Sequence, residues 1–293
     1  MCNILSRSES KGVKGMAKLF SVASWNVEHF KGDGPDSARV DRVIEFLAEQ
    51  KPDIFGMFEV EGKTVFETLV QRMPNYTFQI TEGQQTQEIL IGVKRTMTSL
   101  ITQRTEYKSG TTHMRPGQLV SFMVGQEKYA VLFLHLASGV DPRGMGLRDD
   151  MVMRAIDFKK TLDKQAAPGK RANYIFLGDL NSMGLEYPGH NIPSTDELQK
   201  WDKEAKKSKY KMRRLPKTHA NSWSNGSSSS IPDSALDHVF AADHLTFKTF
   251  AAADGSQAEV AVRGWTDAAT PAAKDKWIKD HSDHSLLYFE VHC

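Results

Sequence analysis

Two oxygen-bearing side chains, Asp179 and Asn181, follow a short apolar run from Tyr174 to Leu177 that ends at Gly178. An apolar run of this length bounded by glycine predicts a strand buried on both faces. Because strand residues alternate between faces, the side chains of Asp179 and Asn181 can point at one place beyond the strand. A carboxylate and an amide oxygen together suit a hard divalent cation or a site that activates a phosphate. For this stretch alone, the alternative is a Gly-Asp turn closed by an Asx hydrogen bond.

Similar polar residues stand at or near the ends of other predicted strands. Asn26 follows a candidate strand from Leu19 to Trp25, and Glu59 follows the buried run 53–58. The further members of this set are His135, Asp237, Asp283 and His284. Any one of them could be a loop residue with its hydrogen bonds satisfied, but isolated buried carboxylates are costly unless they are paired or bound to a metal. The repetition therefore predicts that these positions meet in a single site.

The elements between these residues indicate how they are positioned. Four apolar residues have the i, i+3, i+4, i+7 spacing of one helix face: Val40, Val43, Ile44 and Leu47. Ser37 can cap this helix, which links two predicted strands into a strand–helix–strand unit. The carboxyl ends of its strands carry Asn26 and Glu59, and ligand sites in α/β sheets collect at such ends. Further strands are predicted over residues 76–80, 88–94, 119–124, 128–135, 234–241, 245–249 and 286–291, with helices over 64–72 and roughly 147–164.

Composition limits the classes of protein that the chain can represent. It has 293 residues, 40% of them hydrophobic, and no segment approaches the length of a membrane span. With 38 Lys and Arg against 36 Asp and Glu, the net charge of +2 excludes a globally basic surface but permits a local basic patch. The two cysteines, Cys2 and Cys293, imply no disulfide framework, so we predict a reducing, cytoplasmic location. The polar residues 1–15 lack the apolar core of a signal peptide and are predicted to be a mobile tail.

The order of the polar motifs along the chain resembles that of the endonuclease/exonuclease/phosphatase superfamily. These motifs are Trp25-Asn26-Val27-Glu28, the lone Glu59, Leu134-His135-Leu136-Ala137-Ser138, Gly178-Asp179-Leu180-Asn181, Leu236-Asp237-His238-Val239 and Ser282-Asp283-His284. The resemblance spans about residues 19–291. It implies an α/β fold, a four-layer α/β sandwich in which two packed mixed β-sheets are flanked by helices. It also implies a single catalytic domain over residues 16–293 that hydrolyses phosphate esters with a divalent metal.

The same resemblance assigns roles to individual residues. Asn26, Glu59 and Asp283 match the metal-binding positions, and their hard oxygen ligands suit Mg²⁺ or Mn²⁺. Asp179 and Asn181 match the residues that orient or deprotonate the attacking water and hold a phosphate oxygen. His284 would contact the phosphate or act as general acid or base, oriented by Asp237, since a carboxylate behind an imidazole fixes its tautomer and raises its basicity.

Two further pairs, Glu88 with His135 and Arg115 with Pro116, favour the branch that resembles the pancreatic-type deoxyribonucleases. That branch places a partner carboxylate and a phosphate-binding arginine where this chain has Glu88 and Arg115, so we predict that Glu88 pairs with His135. The Gly-Trp-Arg that usually precedes Asp237 in apurinic/apyrimidinic endonucleases is absent. The Asp-Arg typical of inositol phosphatases is replaced by Asp237-His238. The leading hypothesis is therefore a metal-dependent endonuclease that hydrolyses DNA.

Other functions stay open on the sequence. A basic segment over residues 200–217 and a following aromatic residue could contact nucleic acid through Lys206, Lys207, Lys209, Arg213, Arg214 and Trp223. A basic run is also the ordinary composition of a solvated helix face, and Trp223 could either anchor a loop or stack on a base. The enzymatic alternative is a phosphatase or phosphodiesterase that acts on a small or lipid-linked phosphate. A more remote alternative is a non-catalytic binding protein with the same fold. No membrane association and no obligate protein partner are predicted.

Overall fold

A computed structural model of the chain describes residues 17–31, 37–61, 63–82, 88–112 and 114–293. The predicted tail over residues 1–15 and the predicted loop over residues 32–36 lie outside the described residues.

The described residues alternate between strands and helices. The strands are β1 (Lys18–Lys31), β2 (Ile54–Glu61), β3 (Tyr76–Ile80), β4 (Glu88–Lys94), β5 (Ser99–Arg104), β6 (Gly117–Val124), β7 (Glu127–His135), β8 (Asn173–Asp179), β9 (Leu185–Tyr187), β10 (His190–Ile192), β11 (Met212–Arg214), β12 (Asp237–Ala242), β13 (Thr246–Phe247), β14 (Phe250–Ala251), β15 (Gln257–Ala258), β16 (Ala261–Arg263) and β17 (Leu286–His292). The α-helices are α1 (Ser37–Glu49), α2 (Lys63–Arg72), α3 (Pro142–Lys164), α4 (Ser194–Ala205) and α5 (Pro271–Asp280). Short 3₁₀ helices span Thr105–Lys108 and Trp265–Asp267.

Two large sheets form the centre of the fold. The seven-stranded sheet has the order β13-β17-β1-β2-β4-β3, with β16 also paired to β17, and the six-stranded sheet has the order β11-β12-β8-β7-β6-β5. Each contains one parallel pair, β1 with β2 and β7 with β8, and antiparallel pairs elsewhere. Parallel neighbours need a crossover connection, which α1 and α3 supply in the two sheets. The predicted four-layer α/β sandwich of two mixed sheets flanked by helices is confirmed.

Side-chain alternation builds three apolar layers around the sheets. One cluster lies between the two sheets and includes Val22, Ile54, Val131, Ile175 and Leu287. A second cluster packs α3 and α4 on the outer face of the six-stranded sheet, and a third packs α1 and α2 on the outer face of the seven-stranded sheet. The predicted apolar face of α1 is buried in that third layer. Residues two apart on a strand therefore face the same layer, which decides which polar side chains reach the space between the sheets.

Several element boundaries differ from the predictions, and those of β1, β2 and α3 differ most clearly. The strands predicted to stop near Trp25 and Phe58 continue to Lys31 and Glu61, because β1 and β2 contain irregularities that interrupt the pairing without ending it. Helix α3 begins five residues before the predicted position 147, since the Asp141 carboxylate caps its first turn by accepting from the backbone N–H groups of Arg143 and Gly144. Helix α5 and strand β5 were not predicted.

None of the helices in the described ranges is both long enough and apolar enough to traverse a bilayer.

Candidate active site

Four predicted site residues extend the rows of apolar side chains that fill the space between the sheets. Asn26 follows Phe20 and Val22 along β1 in steps of two, and Asp179 follows Ile175 and Leu177 along β8. His135 ends the corresponding row of β7, and Asp237 begins that of β12. All four are buried, with relative exposures of 4% or less. Alternation thus carries them from both sheets to the same edge of the inter-sheet core.

Glu59 reaches this edge by a different route. Simple alternation would turn it towards the helix layer, because Phe58 already faces the space between the sheets. A positive φ of 62° at Glu59 breaks the alternation, and the register between β2 and β4 shifts at the same point. Its carboxylate then accepts hydrogen bonds from the Asn26 amide at 3.1 Å and from the backbone N–H of His29 at 3.0 Å. Left-handed backbone is uncommon for a residue with a Cβ, so surrounding contacts must hold it.

Gly178 allows the end of β8 to approach its neighbours closely. Its φ is 139°, and a Cβ at this position would lie 2.0 Å from the Leu134 carbonyl oxygen and 2.9 Å from the ring of Phe58. No side chain fits in that space. The glycine before Asp179 is therefore required by packing between β7, β8 and the seven-stranded sheet.

Asp179 occupies the centre of the site. Its Oδ2 accepts from the Asn26 amide at 2.9 Å and lies 3.6 Å from His135 Nε2 and 3.8 Å from His284 Nε2. Its Oδ1 accepts from the backbone N–H of Asn181 at 3.0 Å, and Asn181 in turn donates to the Leu136 carbonyl. The distances to the two imidazoles exceed a direct hydrogen bond, so a water or a phosphate oxygen placed to one side could contact Asp179 and an imidazole together.

The pKa values of Asp179 and His284 are both raised. Burial raises the pKa of Asp179 to about 7; the charge of Asp237 adds to the increase, while the His284 imidazolium and the Asn26 amide oppose it. Burial disfavours the imidazolium of His284, but the carboxylates of Asp237 and Asp179 outweigh it and raise its pKa to about 10. Near neutral pH, His284 is cationic and Asp179 is partly protonated.

Asp237 fixes the orientation of His284. Its Oδ2 lies 2.8 Å from His284 Nδ1, which leaves Nε2 directed towards Asp179. The backbone of Asp237 is held in turn, because its N–H donates to the Ser222 hydroxyl at 3.0 Å and its carbonyl accepts from Lys217 Nζ at 2.8 Å. The Asp237–His284 hydrogen bond joins the six-stranded sheet, which contains Asp237, to the segment that precedes β17 of the seven-stranded sheet.

The predicted pairing of Glu88 with His135 is wrong. The Glu88 carboxylate accepts a hydrogen bond from the Thr81 hydroxyl instead, and His135 Nδ1 has no hydrogen-bond partner among the described residues. His135 Nε2 lies 3.7 Å from Glu59 and 3.6 Å from Asp179, so its nearest carboxylates come from other strands. Burial lowers the pKa of His135 well below its usual range, and the positive charges of Arg115 and His284 add to this effect, so the imidazole is neutral.

Arg115 lies beside the same acidic groups. Burial lowers the pKa of its guanidinium, and the nearby carboxylates of Glu59, Asp179 and Glu88 oppose that decrease. Since an arginine remains cationic in proteins, the half-buried side chain places a positive charge next to Asp179. Glu88 thus belongs to the surroundings of Arg115 rather than of His135.

Asp283 stands at the side of the site that Asn26 occupies. The Ser282 hydroxyl donates to the Asn26 carbonyl at 2.8 Å and lies 3.3 Å from Asp283 Oδ1. The half-buried Trp223 donates its indole N–H to Asp283 Oδ2 at 2.7 Å. Its backbone forms isolated β-bridges with Ser234 and His284. Of the two alternatives for Trp223, these contacts favour an anchor that orients the Asp283 carboxylate.

The donors on this side are of the type that a divalent cation binds. Glu59 and Asp283 offer carboxylate oxygens, and the side-chain oxygen Oδ1 of Asn26, which accepts from the Glu28 N–H, keeps a second lone pair. Burial raises the pKa of Glu28 and the Asp283 charge adds to it, so negative charge accumulates where a cation would relieve it. Asp179, Asp237 and His284 also have ligand atoms within 4.8 Å of one another. A protonated imidazole cannot ligate a metal, however, and the Asp237–His284 hydrogen bond makes that group less suitable.

Apart from Lys217, which donates to the Asp237 carbonyl, the basic segment does not reach this site. Arg213 and Arg214 lie on β11 opposite Ala241 and Phe240, which at about 3.3 Å per residue places them roughly 10–13 Å along β12 from Asp237. Acidic side chains pair with most of the segment: Arg213 with Glu259, Arg214 with Asp202, and Lys207 and Lys209 with Glu204. Lys206 is exposed at the end of α4. Of the six predicted nucleic-acid contact residues, only Trp223 therefore lies at the site.

Comparison with known proteins assigns the chain to a family. A sequence profile described as the endonuclease/exonuclease/phosphatase family matches residues 23–257. No curated protein sequence is a significant match to the chain.

Several solved structures share the fold at low sequence identity. A truncated Caenorhabditis elegans TDP2 is 16% identical, with a TM-score of 0.64 over 94% of this chain and 98% of that one. Danio rerio TDP2 complexed with a single-strand DNA product is 18% identical, with a TM-score of 0.57 over 94% and 99% of the two chains. A mannosyl-6-phosphatase of Bacteroides thetaiotaomicron is 17% identical, with a TM-score of 0.56 over 93% and 99%. The chain belongs to the endonuclease/exonuclease/phosphatase family, whose members are metal-dependent hydrolases of phosphate esters.

Proposed function

We propose that the protein is a divalent-metal-dependent phosphodiesterase that cleaves DNA as an endonuclease. One observation carries the proposal: the buried carboxylate of Asp179 lies between the imidazoles of His135 and His284, at 3.6 and 3.8 Å, beside the oxygen-rich group of Asn26 and Glu59. This arrangement offers a proton acceptor, a cationic donor and hard oxygen ligands around one small space. These three elements together suit metal-assisted hydrolysis at phosphorus.

Asp179 is proposed to orient the attacking water and accept its proton. A general base works best when its pKa lies near the operating pH, and the pKa of Asp179 is raised to about 7. The backbone N–H of Asn181 holds one carboxylate oxygen, which leaves the other, Oδ2, directed at the imidazoles. The Asn181 side chain would help to hold a phosphate oxygen.

His284 and Arg115 are proposed to bind the phosphate. Asp237 holds the Nδ1 proton of His284, so its cationic Nε2–H can donate to a phosphate oxygen or protonate the leaving oxygen. The planar guanidinium of Arg115 can donate two parallel hydrogen bonds to the phosphodiester. The neutral His135 would donate from Nε2 to a third oxygen.

The cation side is proposed to comprise Asn26, Glu59 and Asp283. Mg²⁺ or Mn²⁺ held there would neutralise the phosphate and the charge that develops on the leaving oxygen. The protein residues keep this subsite ready, because Asn26 and Trp223 orient the two carboxylates.

DNA as the substrate is supported by the half-buried arginine and paired imidazoles, which suit a phosphodiester, and by the TDP2 structure that holds a DNA product. A phosphatase acting on a small or lipid-linked phosphate ester is the second candidate. It is favoured by the basic segment, whose charges are paired and lie away from the site, and by the structural likeness to a mannosyl-6-phosphatase. A cytoplasmic location remains part of the proposal.

A comparison of activity on three separate substrates distinguishes these two candidate functions. We would incubate the protein with supercoiled plasmid, with bis(p-nitrophenyl) phosphate and with p-nitrophenyl phosphate, each with Mg²⁺ or Mn²⁺ and with a chelator. Metal-dependent nicking of the plasmid and cleavage of the diester, both lost in Asp179→Ala, support the endonuclease. Hydrolysis of the monoester with the plasmid left intact would support the phosphatase, and equal turnover by Asp179→Ala would show that a contaminant was being measured.

A further inference from the structure

A buried arginine in the first turn of α1 contacts two segments that deliver site residues. Arg39 is 8% exposed. Its Nη2 donates to the carbonyl oxygens of Val27 at 2.6 Å and Glu28 at 3.0 Å, and its Nε donates to the carbonyl of His281 at 2.8 Å. These three carbonyls come from parts of the chain that are about 250 residues apart in sequence.

The contacted carbonyls lie immediately next to proposed metal ligands. Val27 and Glu28 follow Asn26 at the irregularity in β1, and His281 precedes Ser282 and Asp283 by one and two residues. The two segments meet a second time where the Ser282 hydroxyl donates to the Asn26 carbonyl at 2.8 Å. Arg39 and Ser282 therefore both tie the segment that carries Asn26 to the segment that carries Asp283.

The backbone at this point needs an external brace. Glu28 and His29 have φ values of 42° and 46°, a conformation that residues with a Cβ seldom adopt. Such strained positions persist only when the surrounding contacts over-determine them. The guanidinium can serve three carbonyls at once because its donors form a rigid fork, whereas a lysine ammonium at this position could not match that geometry.

We propose that Arg39 is a positioning residue that sets the affinity of the cation subsite by holding Asn26 and Asp283 at a fixed separation. This inference rests on the cation role of those residues in the proposed function. Replacing a group that orients a metal ligand without binding the metal commonly changes metal affinity by about 10–100-fold. Arg39 would act through the backbone of the ligand segments, without touching the substrate.

Arg42 provides a matched control on the same helix. It lies one turn after Arg39, donates to the Asp280 carbonyl at 3.2 Å and pairs with the Asp280 carboxylate at 3.8 Å, so it also ties α1 to α5. Among the described residues, Arg42 contacts none of the three carbonyls that Arg39 holds, those of Val27, Glu28 and His281. Loss of Arg42 should therefore loosen the contact between α1 and α5 without changing the separation of the ligands.

The test measures metal binding without substrate. Mn²⁺ would be titrated into wild type, Arg39→Met, Arg39→Lys and Arg42→Met, with free Mn²⁺ measured by electron paramagnetic resonance and folding checked by circular dichroism in chelator. We expect about 10–100-fold weaker Mn²⁺ binding in Arg39→Met, a smaller loss in Arg39→Lys, and a change below about twofold in Arg42→Met. If Arg39→Met does not fold, Arg39→Lys is the deciding variant.

The outcomes separate this inference from the proposed function. If wild type binds Mn²⁺ and the folded Arg39 variants bind it as tightly as Arg42→Met does, the positioning role is overturned while the proposed function stands. If wild type binds no Mn²⁺, the cation role itself is wrong and the inference falls with it. If wild type binds Mn²⁺ but hydrolyses no phosphate ester, weaker binding by the Arg39 variants still supports the positioning role.

Discussion

The two sheets deliver their polar side chains to the site by different backbone devices. In the six-stranded sheet, His135 and Asp179 are the last residues of strands whose pairing has no register shift, and Asp237 is the first residue of another. In the seven-stranded sheet, Asn26 and Glu59 lie inside strands, next to shifts of register. Left-handed backbone at Glu28, His29 and Glu59 accompanies those shifts.

The difference corresponds to two kinds of chemistry. Regular strand ends place proton-transfer groups, which need orientation but can act through an intervening water. The irregular strands place the oxygen ligands proposed for a cation, and Mg²⁺ demands near-ideal geometry. Strained backbone held by buried contacts, such as those of Arg39, is a means of fixing such geometry. The two sides of the site should therefore respond differently to substitution.

Asp179→Asn should have the largest effect on turnover, because it removes the proton acceptor on the side of the six-stranded sheet. The change keeps the size of the side chain and its hydrogen bonds to backbone. We expect kcat to fall by about 10²–10⁴-fold, the range typical of general-base catalysis, with Mn²⁺ affinity changed by only a few fold. Steady-state kinetics on a phosphodiester, together with a Mn²⁺ titration, measure the two quantities. A comparable loss of metal affinity would mean that Asp179 is itself a ligand.

Glu59→Gln tests the side of the seven-stranded sheet. It removes a negative charge from the proposed cation subsite, so Mn²⁺ binding should weaken by about 10–100-fold while raised metal concentration restores much of the rate. Glu61→Gln is the matched control, since Glu61 lies on the same strand with a similar side-chain exposure but pairs with Lys31. A rate that stays low at saturating metal would place Glu59 among the proton-transfer groups and remove the distinction between the two sheets.

The same contrast explains which features could be predicted from sequence. An apolar run that ends on a polar residue predicts a regular strand end, so the positions of His135 and Asp179 in the fold follow from local pattern. A β-bulge has no comparable signature, and the strands through Asn26 and Glu59 were predicted to stop there. The partner of His135 was predicted wrongly because Glu59 and Asp179 approach it from other strands. In the sequence, Arg39 resembles an exposed residue of an amphipathic helix. Its carbonyl partners lie 12 and 242 residues away along the chain, so no local pattern indicates them.

The hydrogen bond between Asp237 and His284 joins the two sheets and should be visible in the pH dependence of stability. The pKa of His284 is raised to about 10 in the folded protein, against about 6.5 in an unfolded chain. Between these values the folded state binds more protons, so the free energy of unfolding falls as pH rises, by at most about 1.4 kcal/mol per pH unit from this group. Lys217, whose pKa is lowered to about 8, contributes the opposite slope above that pH. Asp179, whose pKa is raised to about 7, adds to the same decrease at the lower end of the window from pH 6.5 to 8, and His284 accounts for most of it at the upper end.

We expect the free energy of unfolding in chelator, measured by urea denaturation, to decrease from pH 6.5 to 8 in wild type. Asp237→Asn should flatten this decrease, because it removes the carboxylate that most strongly raises the pKa of His284. His244→Gln is the control: its exposed imidazole has a lowered pKa, so it should leave the wild-type slope above pH 6.5 unchanged. Equal slopes in wild type and Asp237→Asn would show that this bond does not hold His284 in its cationic form.

The smallest effect is expected at the far end of the six-stranded sheet, where the basic segment lies. Lys207 and Lys209 face Glu204, and β11 pairs with the half of β12 that is remote from Asp237. Replacing Lys206, Lys207 and Lys209 together by glutamine should change plasmid cleavage by less than about twofold and leave its salt dependence unaltered, since each phosphate contact that is lost reduces the slope of log K against log salt by about one. Arg115→Gln, measured in parallel, should weaken cleavage far more, because its guanidinium lies beside Asp179. A markedly shallower salt dependence in the triple lysine variant would show that a bound duplex extends along this sheet beyond the active site.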